Sequence, residues 1–339
     1  MIKLAIDFGS QITKIYMLGA GVVLSEATCV AVEQTVSEEK TVYSVKSFGN
    51  KARALYGKAA KNTHIINPVF EGDIVNLKLA TALMAHFFDK IEVSSRAAKN
   101  CEVIFVLPCG ATEELKDKYL QIAEELNIGL VYFTQTPFAA VAGHNATITE
   151  STPVFSVDIG YGTTNIAVFS LDGIINGYSI NLGGGNIDVH IMDYMAENHN
   201  VKIGALTAER IKNTVGSLVE DDYKITVADG RDIKKGTPES VAVNTEHIHG
   251  VIKLYIDKII EYIKLVITQL PAEVSSSVMR GGLYLSGGLI KLDGLSDYIS
   301  VALNMPVNCP EEPQYASVIG AGSILSTPAL LESLAEEEE

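Results

Sequence analysis

Two short segments of this chain combine a carboxylate, glycine and hydroxyls at the same spacing. Asp7-Phe-Gly-Ser-Gln-Ile-Thr-Lys-Ile15 and Asp158-Ile-Gly-Tyr-Gly-Thr-Thr-Asn-Ile166 share aspartate, glycine, threonine and isoleucine at equivalent positions, about 150 residues apart. A segment of this kind can bind an anion. Glycine lets the backbone approach closely, and neighbouring N–H groups and hydroxyls converge on the charge as a nest. Two copies can hold a triphosphate from both sides. Asp7 and Asp158 then become candidate holders of a magnesium ion, directly or through water, because Mg²⁺ keeps much of its hydration. One glycine turn after a strand is commonplace, so the inference rests on the repeat.

The elements that must position these residues read as strands. Each segment follows an apolar run (Ile2 to Ile6; Val154 to Val157) and precedes another (Ile15 to Leu18; Ile166 to Ser170), then reaches a glycine turn at Gly21 or Gly173. This is a β-hairpin with a polar tip, written twice. The period is that of a whole domain, which predicts a duplicated domain rather than a solenoid. Between the copies, a short helix is expected at Arg53 to Lys61 and a longer one from Leu77 to Ile91, with Leu79, Leu83, Phe87 and Ile91 at helical spacing. Val103 to Leu107 reads as a strand, Thr112 as the cap of a helix ending near Asn127, and Leu130 to Phe133 as a further strand. After the second hairpin come a strand at Tyr178 to Leu182, a helix opened by Asn186, and a mixed insertion over 200–250 with a helix near Thr207 to Val215. Val251 to Leu270 forms the cleanest amphipathic helix, and Leu283 to Leu285 is a strand turned into a helix by Ser286-Gly-Gly288. Alternating strands and helices imply an α/β fold.

Bulk properties suit a chain of 339 residues with two domains: 47% apolar and 20% charged residues can bury sizeable cores. The net charge of −15 repels phosphate backbones, so no direct nucleic-acid partner is expected. No signal peptide and no apolar run of membrane-spanning length is legible, because Asp7 interrupts the first run. Cys29, Cys101, Cys109 and Cys309 stand singly in apolar surroundings without metal-ligand spacing. Reduced, buried thiols and a cytoplasmic protein are expected.

The twin tips, with the glycine turns around them, resemble the actin superfamily, and more finely the bacterial actin family of MreB. The likeness runs through Gly21-Val-Val-Leu-Ser-Glu26, Pro108-Cys-Gly-Ala-Thr-Glu113, Ile203-Gly-Ala-Leu-Thr-Ala-Glu-Arg-Ile-Lys212, Gly230-Arg-Asp232 before Gly236, Leu285-Ser-Gly-Gly288 and Ser317-Val-Ile-Gly-Ala-Gly322. The resemblance implies an α/β, actin-like fold: two ribonuclease-H-like domains around a nucleotide cleft, each with a small subdomain. Domain I would take 1–145 and about 320–339, with its subdomain near 33–66. Domain II would take 151–319, with its subdomain near 200–250. ATP or ADP with Mg²⁺ is the implied ligand. Carried over, Gly9, Ser10, Gln11 and Ile12 would lie at the β- and γ-phosphates, faced by Gly160, Gly162, Thr163 and Thr164. Lys14 falls where eukaryotic actin places a phosphate-binding lysine. Glu209 and Lys212, three apart on one helix face, match positions that hold ribose and adenine; read without the family they are an ordinary surface ion pair. Gly184 and Gly185 would floor the cleft, and Gly287, Gly288 and Leu289 would lie against the nucleotide.

Two departures from the family pattern matter. The family carries a pair of glutamates before the proline that here is Pro137; this chain has Gln135 and Thr136. A neutral amide positions water but is no general base, so slow, assembly-coupled hydrolysis is expected, with Gln135, Thr136 and Asp158 as the catalytic set. The family also attaches to membranes through an amino-terminal amphipathic helix or an apolar pair before the strand that begins here at Val103. This chain begins on its first strand, and the loop reads Ser94-Ser-Arg-Ala-Ala-Lys-Asn100. Two alanines bury too little area for useful insertion, so no direct membrane binding is expected, with tethering left to an adaptor protein.

The resulting expectation is an ATP-binding, filament-forming cytoskeletal protein whose partner is itself, in head-to-tail protofilaments. Heterologous contacts that do not close generate open filaments. The alternative is a monomeric ATP-dependent adaptor of the same fold, of pilus-assembly type, or a small-molecule kinase. A DnaK-like chaperone is disfavoured because no peptide-binding domain follows.

Overall fold

A computed structural model of the chain describes residues 1–36, 41–144, 152–170, 173–327 and 330–331. The chain forms two compact units, one of Met1–Glu150, Leu171–Gly173 and Tyr315–Glu339, the other of Ser151–Ser170 and Ile174–Gln314.

Each unit is built on a five-stranded sheet of the same topology. In the first, β1 (Ile2–Phe8), β2 (Ile12–Met17), β3 (Gly21–Ala27), β4 (Cys101–Leu107) and β5 (Leu130–Gln135) lie in the order β5-β4-β1-β2-β3. β2 is antiparallel to β1 and β3, whereas β1, β4 and β5 run parallel. In the second unit, β6 (Val154–Ile159), β7 (Thr164–Ser170), β8 (Gly173–Ile180), β9 (Leu283–Ser286) and β10 (Val307–Asn308) lie in the order β8-β7-β6-β9-β10. β6 again pairs antiparallel with β7 and parallel with β9. The repeat seen in the hairpins thus extends to whole sheets, in the ribonuclease-H-like order that the resemblance implied.

The central strands present apolar residues to both sides because helices cover both faces of the first sheet. Leu4, Ile6 and Phe8 of β1, with Val103, Phe105 and Leu107 of β4, pack with Leu83 and Phe87 of helix Leu77–Lys90 and Tyr119 and Ile122 of helix Glu113–Glu125. The alternate residues Ala5, Ile104 and Val106 pack with Ala139, Val318, Ala321 and Ile324 of the helices Thr136–Gly143 and Ala316–Ser326. These last two helices meet backbone to backbone. A Cβ on Gly320 would lie 1.8 Å from the Ala139 carbonyl oxygen, and one on Gly143 would lie 2.1 Å from that of Ala316. In the second unit, Phe155, Val157 and Ile159 pack with Ile187 and Ile191 of helix Gly184–His199 and Ile252, Ile256 and Ile259 of helix Thr245–Thr268.

Small three-stranded sheets accompany each core. Val30–Val36, Thr41–Phe48 and Thr63–Ile66 form one; Val201–Lys202, Ile225–Asp232 and Pro238–Asn244 form the other.

Several expected boundaries move for local reasons. The helix expected at Arg53 to Lys61 lies at Gly49–Arg53, and Gly57 at φ +72° belongs to the turns that follow it. The long amphipathic helix starts earlier than Val251, at Thr245, because the Asn244 side chain accepts a hydrogen bond from the His247 N–H at 3.0 Å and caps it. The strand expected at Tyr178 to Leu182 spans Gly173–Ile180. The turn after Ser286 enters a single 3₁₀ turn, Gly288–Lys291, before the helix Leu295–Leu303 begins.

Candidate functional site

The two hairpin tips make the same turn. In the first, a Cβ on Gly9 would lie 2.8 Å from the carbonyl oxygen of Ile12; in the second, one on Gly160 would lie 3.1 Å from that of Thr163. In each copy the chain folds back on the carbonyl three residues on, too closely for a side chain at Gly9 and tightly at Gly160. The Gly160 N–H closes the second turn by donating to Thr163 O at 2.9 Å. Asp7 and Asp158 precede these turns, one residue before the carboxyl ends of parallel strands. That is the edge where open α/β sheets bind ligands.

In the first unit, strand register brings Lys14 opposite Asp7, and its Nζ donates to Asp7 Oδ2 at 2.7 Å. Ser317 Oγ, from the start of helix Ala316–Ser326, donates to the same oxygen at 3.3 Å. Register also carries Gln135 to this edge, since Asp7 pairs with Val106, and Thr134 with Val106 from the other side. Gln135 Oε1 accepts the Gly110 N–H at 2.9 Å, and Thr136 Oγ1 donates to Leu107 O at 2.8 Å. Ser10 Oγ accepts from the Gly72 N–H at 3.4 Å, and Ser10 O accepts from Asn67 Nδ2 at 3.5 Å, so the 67–72 segment supports the tip. Gln11 and Ile12 stay half-buried at the tip, Gln11 O accepting from the Thr28 N–H at 2.8 Å.

In the second unit, β6–β9 register sets Ser286 beside Asp158, and Ser286 Oγ donates to Asp158 Oδ2 at 2.7 Å. The cross-strand neighbour of Asp158 is Asn165, a neutral amide where the first copy has Lys14. Gly162 and Thr163 occupy the turn, partly exposed. Thr164 is fully buried and its hydroxyl donates to Leu182 O at 2.7 Å, so that side chain fixes the sheet instead of facing a ligand. Gly184 and Gly185, expected as a floor, do a different task with their amides: they donate to Gly160 O at 3.0 Å and Tyr161 O at 2.8 Å. The start of the helix thereby staples the tip. Gly287, at φ +98°, lies against the backbone of Ile159, 2.3 Å from its carbonyl oxygen to a Cβ built there. No other residue fits that approach. Gly288 opens onto free space and Leu289 is buried.

Lys212 departs most from the plain reading of the sequence. It is no surface residue: its side chain is 6% exposed, and Nζ lies 2.8 Å from Asp188 Oδ1 and 2.8 Å from Gly184 O. The cause is helical geometry. Ala208, Ile211, Lys212 and Val215 form the buried face of helix Ala205–Val215, which packs on helix Gly184–His199. Glu209 sits half-buried one turn earlier on the same helix. That i, i+3, i+4, i+7 pattern was the signal in the sequence that Lys212 faces inward. Asp188, 24 residues upstream on another helix, gave none. Ser286, Ser317 and Tyr161 are further site neighbours that spacing alone did not single out.

The thiols take no part. Burial pushes Cys29 up to about 11 and Cys109 up to about 12, which keeps both protonated. Cys309 is exposed, contrary to the expectation of four buried thiols, because it follows the short edge strand β10. Among the described residues, no helix is long and apolar enough to cross a membrane.

Twin sheets of this order, each ending a glycine turn beside an aspartate, define a protein of actin-like fold. MreB5 of Spiroplasma citri, solved bound to ADP, is similar at a TM-score of 0.89 and 25% identity, with 97% of each chain covered. The MamK double helical filament shares the fold at a TM-score of 0.77 and 20% identity, over 96% of this chain and 99% of that one. The family model described as MreB/Mbl protein matches residues 1–333, and the chain belongs to that family. The cell shape-determining protein MreB of Escherichia coli (strain K12) is 29% identical over 323 residues, 95% of this chain and 92% of that protein.

Proposed function

We propose that this chain binds ATP with Mg²⁺ through both hairpin tips, hydrolyses it slowly, and assembles head to tail into cytoplasmic filaments. The observation that carries the reading is the repeated turn: Gly9 and Gly160 each bring bare backbone to the carboxyl edge of a sheet, next to an aspartate. MreB5 of Spiroplasma citri has been solved with ADP and with AMPPNP, which supports a nucleotide as ligand.

The residues present fit such a ligand. Ser10, Gln11 and Ile12 at one tip, and Gly160, Gly162 and Thr163 at the other, would meet phosphates with backbone N–H groups and hydroxyls. The Lys14 ammonium would add positive charge there. Asp7 and Asp158, each at the carboxyl edge of its sheet, are the carboxylates that would hold the metal, directly or through water. Bound Mg²⁺ supplies charge neutralisation on the phosphates. Lys212, Glu209, Gly287, Gly288 and Leu289 would hold the ribose and base. Gln135 orients water by its amide; with its oxygen already accepting from Gly110, and with no basic group, it supports slow turnover.

Self-assembly is supported by the family and by MamK, a protein of the same fold solved as a double helical filament. Absence of a membrane anchor of its own is supported by the 94–100 loop, where Ala98 is buried and Ala97 half-buried, leaving no apolar side chain to insert. An adaptor would supply tethering. Pelleting with ATP, followed by negative-stain microscopy, tests the reading: filaments are expected, and a monomer that binds ATP without pelleting would favour the adaptor or kinase reading instead.

A further inference from the structure

Tyr161 stands between the two glycines of the second tip, and its ring lies on the start of helix Gly184–His199. A Cβ on Gly185 would sit 2.9 Å from its Cε1 and 3.0 Å from its Cζ, so the ring occupies the space that any side chain at 185 would need. The Lys212 Nζ lies 5.7 Å from the ring centroid, within cation–π range. The same ammonium is held by Asp188 and Gly184 O, and it lies 3.1 Å from where a Gly184 Cβ would be, with Leu289 Cδ1 3.6 Å from that point. Tyr161 thus spans the two ends of this half-site: its own backbone forms the phosphate turn, and its ring covers the lysine at the ribose-and-base end.

We propose that Tyr161 is a positioning residue for nucleotide binding. Seated on Gly185, its aromatic face holds the Lys212 ammonium in the orientation that Asp188 and Gly184 begin, and couples the phosphate turn to the base end. The inference rests on the reading of this half-site as a nucleotide site. A lysine stem has four rotatable bonds, and an ammonium fixed on three sides presents its remaining N–H in one direction. The face of the ring supplies that third side.

Fluorescent-ATP titration of the full chain with Mg²⁺ tests it, alongside thermal melting without nucleotide. Tyr161→Phe keeps the aromatic face and should bind within about twofold of the unchanged protein. Tyr161→Leu keeps the bulk without the aromatic face and should weaken ATP by about fivefold, the scale of a partly exposed cation–π contact, while the melting temperature holds. Gly185→Ala should weaken binding to a similar degree by lifting the ring, and should cost less when added to Tyr161→Gly, where only the backbone carbonyl of position 161, 3.2 Å from the added Cβ, still opposes it. Equal losses in Tyr161→Phe and Tyr161→Leu, full affinity in Tyr161→Leu, or additive losses for Gly185→Ala and Tyr161→Gly would each overturn the proposal. No ATP binding by the unchanged protein would instead refute the nucleotide reading itself.

Discussion

The two hairpin tips share a turn and a sheet edge but differ in charge. At the first, Asp7 faces an ammonium across the strand pair; at the second, Asp158 faces an amide and a serine hydroxyl. The two copies therefore share the backbone turn while their cross-strand side chains differ. Strand register puts a lysine across from the first carboxylate and an asparagine across from the second. The second unit also hides an ion pair, Lys212–Asp188, at 6% and 3% side-chain exposure, whereas Asp7 and Lys14 stay 18% and 17% exposed. The charge pair of the second unit is thus the more deeply buried of the two.

The largest expected effect follows from that burial. Lys212→Met leaves the Asp188 carboxylate buried without its cation, and should destabilise the second unit by about 3–5 kcal/mol in urea unfolding. The double change Asp188→Leu with Lys212→Met should recover most of the loss, since both charges leave together. If the single change melts like the unchanged protein, the buried pair is not what holds the tip to its helix. Next in size, Asp158→Asn should weaken the Mg²⁺ dependence of ATP binding by roughly 10- to 100-fold, the usual range for a group that supports a metal. An unchanged Mg²⁺ dependence would remove Asp158 from the proposed metal site.

A smaller effect is expected at Gln135. Replacement by alanine removes the amide that accepts the Gly110 N–H, and steady-state phosphate release should fall roughly tenfold. An unchanged rate would remove Gln135 from the hydrolytic set. The smallest effect concerns pH and the first unit alone. Burial lowers His144 from 6.5 to about 4, so the folded state favours the neutral imidazole. Its contribution to stability is complete above pH 6.5 and declines as pH falls toward 4, because only the unfolded chain takes up the proton readily. Unfolding measured across that window should show the decline, and His144→Gln should flatten it.

Much of the fold was legible. The repeated Asp-x-Gly tips predicted two hairpins and, through their period, two domains, and the continuous apolar run at 103–107 predicted a strand. Capping chemistry located helix starts where a cap was noticed, as at Thr112, and missed them where it was not, as at Asn244. The site was legible only as far as contiguous sequence reaches. The tips, being single turns, were read directly. The Asp188–Lys212 pair and the Asp7–Ser317 hydrogen bond join residues 24 and 310 positions apart, so packing alone reveals them. Thr164 shows the opposite case: a hydroxyl at a phosphate-like spacing opens a strand buried along its whole length and is spent on the Leu182 carbonyl.

Calorimetric titration of Mg-ATP into the chain, repeated with Gly9→Val and with Gly160→Val, tests the central claim that both tips serve one nucleotide. The account predicts a single nucleotide bound per chain and a marked loss of affinity from either change alone. Absence of binding, two nucleotides per chain, or unchanged affinity in either variant would contradict it.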